Sequence, residues 1–150
     1  MEFRYFAPGE APEDALKVRL AVFVDEQGFS KESEFDDIDS TAHHTVLYEG
    51  TRPVACGRTF PGKEPGEWII GRVAVLPTYR RGGTGRFLML QLEEQCRQNG
   101  AQSILLAAQV QAQGFYEKLG YVAESETFLE EHCPHINMRK KIALAPRSGK

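Results

Sequence analysis

Apolar residues recur along this chain at two spacings, and the change from one spacing to the other marks out its elements. Alternation over residues 2–6, closed by Pro8-Gly9, predicts a short strand. Pro12 suits the first turn of a helix, with Glu13 and Asp14 beside its positive end. Leu16, Leu20, Phe23 and Val24 then follow at three- and four-residue spacing, which carries the helix to about Gln27, where Gly28 stops it. Residues 30–39 are strongly acidic, with Phe35 and Ile38 as apolar anchors, and predict a short helix or an ordered loop. Two strands, 44–49 and 53–60, meet at the two-residue turn Gly50-Thr51, and 61–66 is a loop by composition.

The second half repeats the pattern. Residues 68–76 predict a strand rich in β-branched side chains (Ile69, Ile70, Val73, Val75), ended by Pro77. Phe87, Leu88, Leu90, Leu92 and Cys96 ride on a helix over 83–98, closed by Asn99-Gly100. A strand over 102–108 and a short helix over 112–119, ending at Gly120, precede closing strands at 121–123, 128–130 and 136–140. Strand, helix and strand in the middle of the chain predict one α/β domain over 1–142. The Pro-, Ser-, Gly- and Arg/Lys-bearing tail, 143–150, is expected to be disordered.

Composition narrows the function. Hydrophobic residues at 41% and charged residues at 26% belong to a globular chain, and a net charge of −3 disfavours nucleic acid. No apolar run reaches 18 residues and the start lacks the basic and apolar regions of a signal peptide, so no membrane partner is expected. Cys56, Cys96 and Cys133 are odd in number and widely spaced, which suits a reducing cytoplasm rather than a disulfide framework. Cys133-Pro134-His135 supplies two metal-ligand types without a second pair, so no metal is expected.

The chemistry concentrates at Arg80-Arg81-Gly82-Gly83-Thr84-Gly85-Arg86, between strand and helix. Glycines there let backbone N–H groups approach a ligand with no Cβ in the way, and a helix start adds roughly half a positive charge. Together with the arginines this predicts a pyrophosphate cradle. A P-loop would need Gly-Lys-Ser/Thr, whereas Gly85 is followed by Arg86-Phe87, and the GxGxxG dinucleotide pattern is also unmet.

Arg80-x-x-Gly83-x-Gly85, preceded by Gly71-Arg72-Val73-Ala74-Val75, resembles the coenzyme A signature of the GNAT superfamily of N-acetyltransferases. About 30 residues on, Ala112-Gln113-Gly114-Phe115-Tyr116-Glu117-Lys118-Leu119-Gly120-Tyr121 resembles its A-x-x-F-Y-x-x-x-G-F/Y segment. Val22-Phe23-Val24-Asp25-Glu26-Gln27, Ile70-Gly71-Arg72-Val73, Ala108-Gln109 and Pro134-His135-Ile136-x-Met138 are similar to the ElaA-like branch.

The resemblance implies a GNAT fold: a central, mixed, mostly antiparallel twisted sheet, with two splayed parallel strands and helices on both faces. It implies acetyl-coenzyme A as co-substrate and a direct transfer to an amine, either a small molecule or a peptide. Backbone groups of Val73, Ala74 and Val75 would bond the pantetheine arm. N–H groups from Arg81 to Arg86, through Gly82, Gly83, Thr84 and Gly85, would hold the pyrophosphate, with Arg80 adding charge. Gln109 stands where the superfamily often has an Asn contacting the arm. Tyr116 is the candidate general acid for the departing thiolate, because a phenol keeps its proton at neutral pH. Glu26, His44 and His135 are candidates to take a proton from the amine, with His135 favoured. Glu32, Glu34, Asp36, Asp37 and Asp39 are expected to form a solvated face or to attract a cationic acceptor. Dimers are frequent in folds of this type, so a homodimer is one expected assembly. A non-catalytic coenzyme A-binding module and acyl-homoserine-lactone synthesis are the rival readings.

Overall fold

Strand β1 (Glu2–Phe6) pairs antiparallel with β2 (His43–Glu49), which pairs antiparallel with β3 (Arg52–Pro61). The Gly50-Thr51 turn joins β2 to β3, and Gly50 takes a left-handed φ of +62°. These and the following elements come from a computed structural model that describes residues 1–10 and 12–142. The tail expected to be disordered, 143–150, lies outside the described residues. The described chain forms two compact units, residues 1–60 with 70–92, and residues 61–69 with 93 onward.

In the first unit, helix α1 (Glu13–Arg19) buries Ala15 and Val18, so of the expected stripe only Phe23 is buried, while Leu16, Leu20 and Val24 are half-buried beside that face. Winding then widens into a π-helical turn over Leu20–Glu26, so that the Gln27 N–H donates to the Val22 carbonyl five residues back. Gly28 (φ +78°) ends the helix as expected. Ala15, Val18, Val22 and Phe23 pack with Val46, Tyr48 and Cys56 from the strands and with Ala74. The short helix α2 (Lys31–Glu34) is capped by the Ser30 hydroxyl, which accepts from the Ser33 N–H, and a 3-10 turn over Asp37–Ser40 follows.

Helices cover both faces of β3. Cys56 belongs to the cluster that α1 closes, while Gly57 faces helix α3 (Thr84–Gln98) on the other side. A Cβ on Gly57 would lie 2.5 Å from Leu92 Cδ1, so any side chain there would force the buried Leu92 to shift.

Strand β4 (Glu67–Val75) is the parallel member of the sheet. Its first residues pair with β5 (Ser103–Gln109) from Glu67 opposite Ser103 to Ile69 opposite Leu105, and the ladder then stops. β5 pairs antiparallel along its length with β8 (Cys133–Lys141), which also carries β6 (Val122–Ala123) and β7 (Phe128–Glu130). A 3-10 turn and helix α4 (Gln113–Lys118) follow β5. Ile104, Leu106, Tyr121 and Met138 are buried in this second unit. Two of its cations are paired: Arg139 bridges Glu67 (2.8 Å) and Glu124 (2.8 Å), and Lys140 lies 3.1 Å from Glu93. The mixed, mostly antiparallel α/β sheet thus matches the expected fold class. Among the described residues, no helix is long and apolar enough to cross a membrane.

Candidate active site

The first unit supplies a strand end and a glycine turn. β4 does not run straight to its end, because Arg72 takes a left-handed φ of +51°, a conformation unfavourable for a long side chain. Gly71, an isolated glycine inside a strand, is the sign of this irregularity in the sequence. Ala74 stays in the core, 3% exposed, while Val73 and Val75 are half-buried. After the kink, residues 73–75 have no partner in the β5 ladder.

Beyond Val75 come a 3-10 turn over Pro77–Tyr79 and then Gly82 and Gly83, with φ of +81° and +83°. Both are left-handed, so glycine is required on conformational grounds alone. Among the described residues, no heavy atom lies within 4 Å of the place a Cβ would occupy on either, so they leave the space in front of the turn open. The first hydrogen bond of α3 runs from the Phe87 N–H to the Gly83 carbonyl. The preceding N–H groups, Thr84 to Arg86, therefore have no intrahelical acceptor. Open glycines beside orphan N–H groups suit a diphosphate. Arg81 and Arg86 are exposed beside them.

Arg80 is committed elsewhere. Its Nε donates to the Val75 carbonyl at 2.9 Å, and its two terminal nitrogens donate to the two oxygens of Glu26 at 2.7 and 2.6 Å. Glu26 sits at the end of the π-helical turn. The hydrogen bonds from Arg80 hold its carboxyl below the usual carboxylate range.

Expected to lie in solvent or to attract a cation, the acidic segment is instead half consumed by arginines. Arg19, 1% exposed, bonds Glu34 Oε2 at 2.8 Å and Asp39 Oδ1 at 2.6 Å. Arg58, 3% exposed, bonds Asp36 at 2.7 Å and Asp39 at 2.8 Å, and Arg72 lies 3.1 Å from Glu34. Burial lifts the Glu34 pKa against the pull of these arginines. At Asp39 burial acts upward too, but Arg19 and Arg58 outweigh it and the pKa falls. Only Glu32 and Asp37 of the five acidic positions are fully outward. His44 is 2% exposed, with Nε2 3.0 Å from the Asp39 carbonyl, and burial keeps it neutral by lowering its pKa. It is a structural histidine.

The second unit holds the remaining expected residues. Tyr116 on α4 is 8% exposed, edge-on to Phe115 and Tyr121, and burial pushes its pKa up to about 12. Among the described residues its hydroxyl has no hydrogen-bond partner, whereas the Tyr121 hydroxyl donates to Glu93 at 2.8 Å. Burial thus keeps this phenol protonated at neutral pH. Gln109 and His135 stand opposite each other in the β5–β8 register. His135, 5% exposed, stacks on Phe128 and has Nδ1 2.9 Å from the Cys133 carbonyl. A carbonyl only accepts, so Nδ1 donates there. Glu130 lies 3.6 Å from Nε2. The amide of Gln111 donates to Gln109 Oε1 at 2.6 Å.

Residues 10–142 match the acetyltransferase (GNAT) domain family, and the chain belongs to it. The match runs through both units, and the protein is an acetyltransferase enzyme. The uncharacterized N-acetyltransferase YjcF of Bacillus subtilis (strain 168) is 38% identical over 132 residues, covering 87% of this chain and 93% of the relative. ElaA of Escherichia coli (strain K12) is 30% identical over 133 residues, 87% of each chain. Its crystal structure superposes with a TM-score of 0.83, covering 93% of this chain and 99% of that one. An acyl-CoA N-acyltransferase from Pseudomonas aeruginosa superposes with a TM-score of 0.82 at 27% identity, with the same coverage. The chain therefore sits in the ElaA-like branch of the family.

Proposed function

We propose that this enzyme transfers the acetyl group of acetyl-coenzyme A directly to a primary amine of a small molecule or peptide. One observation carries the donor: the left-handed Gly82-Gly83 pair, open in front of both Cβ positions, runs directly into the orphan N–H groups of α3. Those groups, with Arg81 and Arg86, would hold the diphosphate. The backbone of residues 73–75, beyond the end of the parallel ladder, would bond the pantetheine amides.

The amine attacks the thioester carbonyl, and collapse of the tetrahedral intermediate breaks the carbon–sulfur bond. Tyr116 gives its proton to the departing thiolate, which its raised pKa leaves it able to do at neutral pH. The proton lost by the amine goes to His135 Nε2, where Glu130 would stabilise the imidazolium. That proton balances the one given to sulfur. Glu26 is a poor base in this scheme, since pairing with Arg80 lowers its pKa.

Calorimetry with coenzyme A tests the cradle. Arg81→Ala should weaken binding, and Gly83→Val should abolish it, because any side chain there is strained and points into the open space. Undiminished affinity in both, with folding verified by circular dichroism, would refute the site. Screening amines for release of free coenzyme A thiol identifies the acceptor.

A further inference from the structure

The Glu26–Arg80 pair joins three places in the first unit. Glu26 ends the π-helical turn, Val75 ends β4, and Arg80 lies three residues before Gly83. The guanidinium uses Nε on the Val75 carbonyl and both terminal nitrogens on the two Glu26 oxygens, at 2.9, 2.7 and 2.6 Å. Its own N–H closes the 3-10 turn onto the Pro77 carbonyl at 3.3 Å. A fork bound on both tines and at its base has one orientation. That orientation ties the last residue of β4 and the end of the π-helical turn to the approach to the glycines.

We propose that Glu26 is a positioning residue for the coenzyme: it locks Arg80 onto the end of β4, and so preorganises the glycine turn for the diphosphate. The π-helical turn has a role in this scheme, since the wider winding determines where residue 26 emerges. Arg80 serves as a strut, and charge on the diphosphate is met by Arg81, Arg86 and the helix start. This inference rests on the coenzyme reading above.

Three roles for Glu26 predict different outcomes for Glu26→Gln. A strut weakens coenzyme A binding about tenfold by calorimetry and raises the KM for acetyl-coenzyme A in proportion, while kcat at saturation changes little. A general base loses kcat with coenzyme affinity unchanged. A carboxylate that merely holds Arg80 back from the phosphate releases it, and affinity rises. The first result is expected, and either of the others overturns the proposal. Arg80→Gln alone and the double variant complete a cycle. With a strut, the double variant binds no more weakly than the worse single variant, whereas additive losses mean that Arg80 meets the ligand by itself and refute the strut. Arg81→Ala is measured alongside. If it and Gly83→Val leave affinity intact, the coenzyme site itself is wrong; if they weaken binding while Glu26→Gln does not, only the strut fails. Thermal melts of each variant separate loss of folding from loss of binding.

Discussion

Two sets of arginine–carboxylate pairs lie in the same unit and differ mainly in their exposure to water. Arg19 with Glu34 and Asp39 is closed off, the arginine 1% exposed, whereas the Arg80 and Glu26 side chains are 40% and 37% exposed. Both have short, multiply bonded geometry. Water around the exposed pair screens the attraction, so its contribution to stability is small, and what it supplies is orientation. Where water is absent, each charge depends on its partner, and the set functions as one piece of the fold.

The sharpest way to break this contrast is Arg19→Met. It leaves Glu34 and Asp39 buried without that guanidinium, and should cost about 3–5 kcal/mol. A fall in Tm of roughly 10 °C or more is expected by scanning calorimetry. A near-neutral melt would mean that Arg58 and Arg72 alone satisfy the carboxylates. Tyr116→Phe removes the hydroxyl of a buried ring in the second unit. Turnover should fall about 10²-fold, the scale of general acid catalysis, with coenzyme binding and melting retained. Turnover equal to that of the unaltered enzyme would remove Tyr116 from the mechanism.

Acid should act on the buried set in two directions. The Asp39 pKa is lowered in the fold, so its stabilisation is full above the unfolded value of about 3.9 and is lost as pH falls through the folded pKa. The Glu34 pKa is raised, so protonating it in the fold favours the folded state as pH falls towards about 4.3. Stability followed from pH 6 down to 2 should therefore hold or rise slightly before dropping below about pH 4. The Asp39→Asn variant should lose part of that drop. The smallest effect is expected for Glu26→Gln on stability, less than about 1 kcal/mol by urea denaturation. A larger loss would make the exposed pair a structural element like the buried one.

Much of the fold was legible in one dimension. The Gly50-Thr51 turn between β2 and β3, the β-branched residues of β4 and the four-residue spacing of Leu88, Leu92 and Cys96 on α3 are local signals, and Gly28, Gly50 and Gly83 stand where left-handed turns demand them. The glycine-arginine turn was readable for the same reason, since its residues are contiguous. Widening of the α1 helix at Leu20 was not legible, because apolar spacing of three and four residues does not distinguish π from α winding over a single turn. Nor was the burial of Glu34 and Asp39, since their partners Arg19 and Arg58 lie 15 to 20 residues away on other elements.

The sequence by itself determined the class of enzyme and the place of its left-handed glycine turn, because both reside in short runs whose residue types are restricted by backbone conformation. Tertiary structure decided what each charged side chain is for. It placed Arg80 on Glu26 and Val75, Arg19 on Glu34 and Asp39, and the His135 Nδ1 proton on the Cys133 carbonyl. An ionisable group takes its role from the partner and the water around it, and the fold supplies both.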